Sequence, residues 1–249
     1  MAATVLLLLA CTGCNDGKSE VARKPDGFKQ IEFPAKDGHK VYADFYPSDT
    51  PNSEKVVLMF HQANSNSTEY EGIALTIISL GYNCIVLDQR AGGDMWGKDN
   101  RTVSKSGSGS TMDAYSDLLG ALDYAHSLNY TSIIAWGSSY SASLAFKLAS
   151  ENPEIKAVLA FSPGEYFDDK SIVKSWASKV TVPVLFACTK DELADDRQDL
   201  YNAIPSDSKV LASFDGGVHG SSTLLPEKSK AAGEYMDKVK SFFNDLKSN

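Results

Sequence analysis

Apolar residues first gather in a short run from Val5 to Ala10, after which the chain stays polar from Asn15 to about Gly27. Two further runs, Phe28 to Phe33 and Lys40 to Tyr46, flank a turn at Asp37-Gly38, a pattern that predicts a β-hairpin. The period then changes. Short β-rich runs at Lys55 to Phe60, Asn83 to Leu87, Ser132 to Trp136, Ile155 to Phe161, Val182 to Ala187 and Lys209 to Phe214 alternate with amphipathic stretches. Strands alternating with helices imply a parallel sheet. Val56-Val57-Leu58-Met59-Phe60 is apolar without alternation, as expected of an interior strand covered on both faces. The expected fold class is α/β, with a mostly parallel central sheet, an N-terminal antiparallel hairpin and helices on both faces.

Among the intervening segments, Ser110 with Asp113 forms a capping-box pattern ahead of Met112, Tyr115, Leu118, Leu119 and Leu122, which share one helical face. Pro226 stands where a first helical turn tolerates it, and Ala232, Tyr235, Met236, Val239, Phe242, Phe243 and Leu246 recur at helical spacing beyond it. Gln89 to Gly109 reads as a long loop at a strand's carboxyl end, where open α/β sheets bind their ligands. No repeat or linker divides the chain after residue 28. The organisation expected is a signal-like region over 1–14, a polar tether over 15–27 and one domain over 28–249.

A formal charge of −8 offers nucleic acid no electrostatic footprint, so no nucleic-acid partner is expected. No apolar stretch reaches the roughly 20 residues of a membrane-spanning helix. Cys84 and Cys188 lie inside apolar β-like runs and read as buried thiols, and no metal-ligand spacing occurs, so neither metal nor cofactor is expected. The N-terminal run ending in Leu8-Leu9-Ala10-Cys11 resembles a bacterial lipoprotein signal. The resemblance implies lipid on Cys11, with Cys14 as the rival, and a membrane-anchored protein of the bacterial cell envelope facing the periplasm or the exterior.

The candidate chemistry centres on Trp136-Gly137-Ser138-Ser139-Tyr140-Ser141, between a strand and the amphipathic segment Ala142 to Ala149. A nucleophile at a sharp strand-to-helix turn needs small neighbours two residues away on each side, so that the backbones can pass. Gly137 and Ser141 meet that need around Ser139. Ser138 would have Trp136 and Tyr140 instead. Serines also cap ordinary helix N-termini, so the motif needs companions. Of four histidines, His39 lies in the hairpin turn, His126 in a helix and His61 at a strand end. His219, in Gly216-Gly217-Val218-His219-Gly220, follows the last predicted strand and is the candidate base. Thr189-Lys190-Asp191-Glu192 supplies carboxylates after the strand ending at Ala187. Asp191 comes first, with Glu192, Asp195 and Asp196 near enough to keep the choice open.

In that arrangement the chain from about residue 28 onward resembles the α/β-hydrolase superfamily, most closely its dienelactone-hydrolase-like and serine-peptidase-like esterases. The family order of Ser, acid and His implies Ser139 as nucleophile, Asp191 as orienting acid and His219 as base. Phe60-His61-Gln62-Ala63-Asn64 takes the place of the family's H-G-x loop, with Gln62 at the usual glycine. The resemblance implies an oxyanion hole from the amides of Ala63 and Tyr140. Asp88-Gln89-Arg90-Ala91-Gly92-Gly93 looks like the family's D-x-R-G-x-G loop. Gln62, Trp96 and Tyr166 are the candidates for substrate contacts. A small-molecule ester is the expected substrate, hydrolysed through an acyl-enzyme. A serine peptidase acting on short peptides, or a non-catalytic envelope binding protein that retains the fold, are the alternatives.

Overall fold

The hairpin forms as β1 (Lys29–Pro34) and β2 (Lys40–Tyr46), antiparallel, with Lys29 opposite Phe45 and Pro34 opposite Lys40. Gly38 takes φ +86° in the connecting turn, a conformation open to glycine at little steric cost. The structure is a computed structural model and describes residues 24–248. Cys11 and Cys14 lie outside the described residues, as do the side chains of Asp195 and Asp196. At the end of the polar stretch, Lys24 reaches the Tyr46 hydroxyl at 2.5 Å and the Glu71 carboxylate at 3.0 Å.

Eight strands make one sheet in the order β1-β2-β4-β3-β5-β6-β7-β8. The hairpin joins through antiparallel pairing of β2 with β4 (Asn83–Asp88). The other pairs, among β3 (Lys55–Phe60), β4, β5 (Ser132–Ser138), β6 (Ile155–Phe161), β7 (Val184–Ala187) and β8 (Lys209–Ala212), are parallel. From β3 the chain steps to one side to make β4, then returns past β3 to make β5. With right-handed crossovers, that reversal sends the two intervening helices to opposite faces. It also opens a crevice at the carboxyl ends of β3 and β5, the usual ligand position in such sheets.

Helices α1 (Glu71–Ser79) and α8 (Ala232–Ser248) cover one face, packing on Val57, Met59, Ile134 and Trp136. Helices α3 (Ala114–Ser127), α4 (Tyr140–Glu151), α5 (Ile172–Ala177) and α7 (Gln198–Ala203) cover the other, on Val56, Leu58, Phe60, Ile133 and Ala135. Successive strand residues thus feed two cores, which is why these strands carry no polar alternation.

Three local expectations change. The long loop after β4 contains a helix, α2 (Arg101–Ser106), capped by Asn100, whose side chain accepts the Val103 amide. Ser110 and Asp113 do exchange the reciprocal capping bonds, at 3.1 and 2.9 Å, but they close a turn just before α3. Met112 therefore lies outside the buried helical face and is 39% exposed. Pro226 sits in a turn six residues before α8 begins, because Lys228 and Ser229 first close hydrogen-bonded turns on the Leu225 carbonyl.

Candidate active site

The carboxyl end of β5 runs straight into α4, and Ser139 is the residue between them, at φ +60° and ψ −127°. Positive φ is costly for a residue with a side chain and persists only where the surroundings impose it. Here the Ser139 amide donates to the Phe161 carbonyl at 2.8 Å. Ser141 Oγ accepts the Ser138 amide at 2.9 Å and donates to the Phe60 carbonyl at 2.7 Å, tying the turn to the end of β3. A Cβ on Gly137 would stand 2.3 Å from the Ser141 carbonyl oxygen, so no side chain fits there. Ser138 points away from the crevice and is fully buried.

Ser139 Oγ lies 2.8 Å from His219 Nε2. On the other side of the imidazole, Nδ1 lies 2.5 Å from Glu192 Oε1. This corrects the expectation for Asp191, which the structure leaves exposed and does not bring to His219. The reason is local. Thr189 caps α6 (Lys190–Glu192), its Oγ1 accepting the Glu192 amide at 3.1 Å while Glu192 Oε2 accepts the Thr189 amide at 2.9 Å. The third helical residue of a capping box folds back over the helix start. That movement carries Glu192 to the sheet edge and leaves Asp191, one position earlier, facing outward. The Thr189-x-x-Glu192 spacing was the signal in the sequence that could have made the choice.

Glu192 Oε2 also takes a hydrogen bond from Ser162 Oγ at 2.8 Å, and that hydroxyl accepts the Gly220 amide at 2.9 Å. Burial pushes the Glu192 carboxyl up, but the bonds from His219, the Thr189 amide and Ser162 outweigh it and hold it down at about 2. It is therefore an anion at neutral pH. Its charge faces the imidazole edge that would become positive.

The loop after β3 is locked by His61, fully buried, whose Nδ1 donates to the Gln62 carbonyl at 2.7 Å while Nε2 accepts the Gln89 amide at 2.8 Å. Burial pushes the His61 pKa down, in keeping with a neutral ring. Among the described residues, no acceptor of the chain takes the amide hydrogen of Ala63 or of Tyr140. Tyr140 opens α4, where the helix dipole favours negative charge.

The three candidate substrate contacts lie in different surroundings. Tyr166 stands edge-on to His219, with ring centroids 6.4 Å apart. Its hydroxyl donates to the Ser162 carbonyl at 2.7 Å and accepts from Arg197 at 3.1 Å. Gln62 directs its carboxamide to Glu69 at 3.3 Å and Ser222 at 3.0 Å. Trp96 donates to Ser65 Oγ at 2.6 Å and lines a separate cavity of about 770 Å³ with Leu225, Pro226 and Met236. Tyr166 instead borders a cavity of about 320 Å³ with Met112, Phe167, Ile172, Asp168 and Asp169. That cavity lies between the segment preceding α3 and the segment after β6, over the carboxyl edge of the sheet. Cys84 and Cys188 are free and buried. Burial raises both thiols, Cys188 to about 12.

A sheet of this order, with a serine at a strained turn after β5 and the acid and histidine loops following β7 and β8, is an α/β-hydrolase fold. The dienelactone hydrolase family matches residues 43–247, and the chain belongs to that family. Among solved structures, the Pyrococcus furiosus esterase Pf2001 is similar at 19% identity and a TM-score of 0.67, over 88% of this chain and 92% of that one. Est1E from Butyrivibrio proteoclasticus is similar at 17% identity and 0.67, over 88% and 99%. The dienelactone hydrolase from Anabaena variabilis is similar at 16% identity and 0.67, over 88% and 98%. No curated protein matches the sequence.

Proposed function

We propose that this carboxylic-ester hydrolase works by a serine mechanism in which Ser139 is the nucleophile, His219 the base and Glu192 the orienting acid. The observation that carries the reading is the unbroken relay from Ser139 Oγ through both ring nitrogens of His219 to Glu192 Oε1. A serine hydroxyl is a weak nucleophile until a neighbouring base takes its proton. His219 Nε2 accepts that proton as Oγ attacks the ester carbonyl. Glu192 fixes the tautomer with Nδ1 protonated and stabilises the imidazolium. The amides of Ala63 and Tyr140 receive the oxyanion, and one such donor contributes ~3 kcal/mol to the transition state. His219 then returns the proton to the leaving alcohol. Water, activated by the same imidazole, hydrolyses the acyl-enzyme.

The cavity of about 320 Å³ beside Tyr166 supports a compact ester, because Met112, Phe167 and Ile172 supply apolar walls of limited extent. The lipoprotein-like N-terminus supports an envelope location, with Cys11 or Cys14 carrying lipid. A fluorophosphonate probe is expected to label the protein and to leave Ser139→Ala unlabelled; a folded wild type that takes no label refutes the mechanism. Mass spectrometry of the N-terminal peptide tests the anchor, and an unmodified Met1 in native membranes counts against it.

A further inference from the structure

Beneath the Ser139 turn lies a second carboxylate that the proposed reaction leaves unused. Glu69, in the short 3-10 turn Ser67–Tyr70, is fully buried, and its carboxylate receives four hydrogen bonds from three residues, none of them charged. The Gln62 amide donates to Oε2 at 3.0 Å and Ser65 Oγ to the same oxygen at 3.0 Å. Ser138 Oγ donates to Oε1 at 2.6 Å and Gln62 Nε2 at 3.3 Å. Each hydroxyl already accepts an N–H from elsewhere, Ser138 from the Ser221 amide at 2.9 Å and Ser65 from Trp96 Nε1 at 2.6 Å, and its own proton is directed at the carboxylate. Four converging donors fit the acceptor-only carboxylate form. Burial pushes this carboxyl above its ordinary value, and the bonds from Ser138, Gln62 and Ser65 pull against that rise.

The donors come from the places that the chemistry needs in register. Gln62 immediately precedes Ala63, Ser138 immediately precedes Ser139, and Ser221, bonded to Ser138, follows His219 by two residues. Gln62 Nε2 also reaches Ser222 Oγ at 3.0 Å. We propose that Glu69 is a positioning residue that holds the Ala63 loop, the Ser139 turn and the His219 loop in their working register. The role rests on the serine-hydrolase reading. It is distinct from general support of the core, because every bond ends within two residues of a proposed catalytic group or on Ser65 of the Ala63 loop. A neutral carboxamide cannot substitute. With Gln at this position, one half of the site would set N–H donors against N–H or O–H donors.

The test compares wild type, Glu69→Gln and Ser138→Ala on p-nitrophenyl acetate, with kcat expressed per active site titrated by fluorophosphonate, so that unfolded protein does not count. Glu69→Gln is expected to lower kcat per site roughly 10- to 100-fold with KM within about threefold, the pattern of reacting groups held out of line. Ser138→Ala, which removes one donor of four, is expected to lower the same parameter by less. Ser138→Ala decides alone if Glu69→Gln does not accumulate as folded protein. Unchanged kcat per site, or a loss carried by KM, overturns the positioning role while the labelled wild type leaves the mechanism standing. A wild type that takes no label overturns both.

Discussion

Two glutamates flank the Ser139 turn, and their surroundings set them to opposite tasks. Glu192 is 15% exposed and meets an imidazole that can become cationic, while Glu69 is wholly buried and meets only amides and hydroxyls. Hydrogen bonding wins at Glu192 and holds its carboxyl at about 2. Desolvation wins at Glu69, and its pKa rises. On the proposed mechanism the contrast separates two uses of one side chain: an anion that faces the imidazole of a reacting histidine, and a buried carboxyl whose donors fix backbone positions. A carboxylate beside the reaction need not take part in its proton traffic.

That distinction breaks most sharply at Ser139, the proposed nucleophile. Ser139→Ala is expected to reduce ester turnover by roughly 10⁵- to 10⁶-fold, measured against the uncatalysed rate. Next comes the acid. Glu192→Gln keeps the shape but favours the wrong tautomer of His219, and kcat is expected to fall roughly 10³- to 10⁴-fold. Asp191→Asn is the control, expected to stay within about twofold because exposed side chains away from the site contribute little. Comparable losses in the two would refute the assignment of the acid. Glu69→Gln follows, with the smaller kcat effect given above.

The smallest effects are on stability, and they have opposite signs. Glu192 has a depressed carboxyl pKa, so its contribution is fully present above the ordinary value of 4.5 and is lost as pH falls toward about 2. The advantage in thermal midpoint of wild type over Glu192→Gln is expected to shrink across that interval. Glu69 has a raised pKa, so just above the ordinary value of 4.5 the folded state still holds a proton that the unfolded chain has released, and stability falls as pH rises from there until the folded carboxyl has ionised. Wild type is therefore expected to lose ground against Glu69→Gln as pH rises through that region. Midpoints measured from pH 2 upward for the three proteins check both slopes, and parallel slopes would erase the comparison.

Much of the fold follows from short stretches of sequence read alone. β2, β3 and β6 begin and end where periodicity predicts, because strand burial writes itself into consecutive residues. Ser139 stands out from Ser138 for the same kind of reason: the steric demand at a tight turn falls on residues two positions away, and Gly137 has no room for a side chain. The family likeness was also readable, because it is a property of the chain's sequence. The tertiary structure decided what depends on approach between distant segments. Asp191 and Glu192 differ by one position, and the choice rests on how α6 starts and where a histidine 27 residues away comes to lie. Glu69 looks like any polar turn residue until Gln62, Ser65 and Ser138 turn their donors onto it. Trp96 reads as a candidate substrate contact from its loop, and only the structure pairs its indole N–H with Ser65. Local sterics and period are set within a few residues, whereas the partner of a polar side chain is set by whichever segments the sheet order brings together.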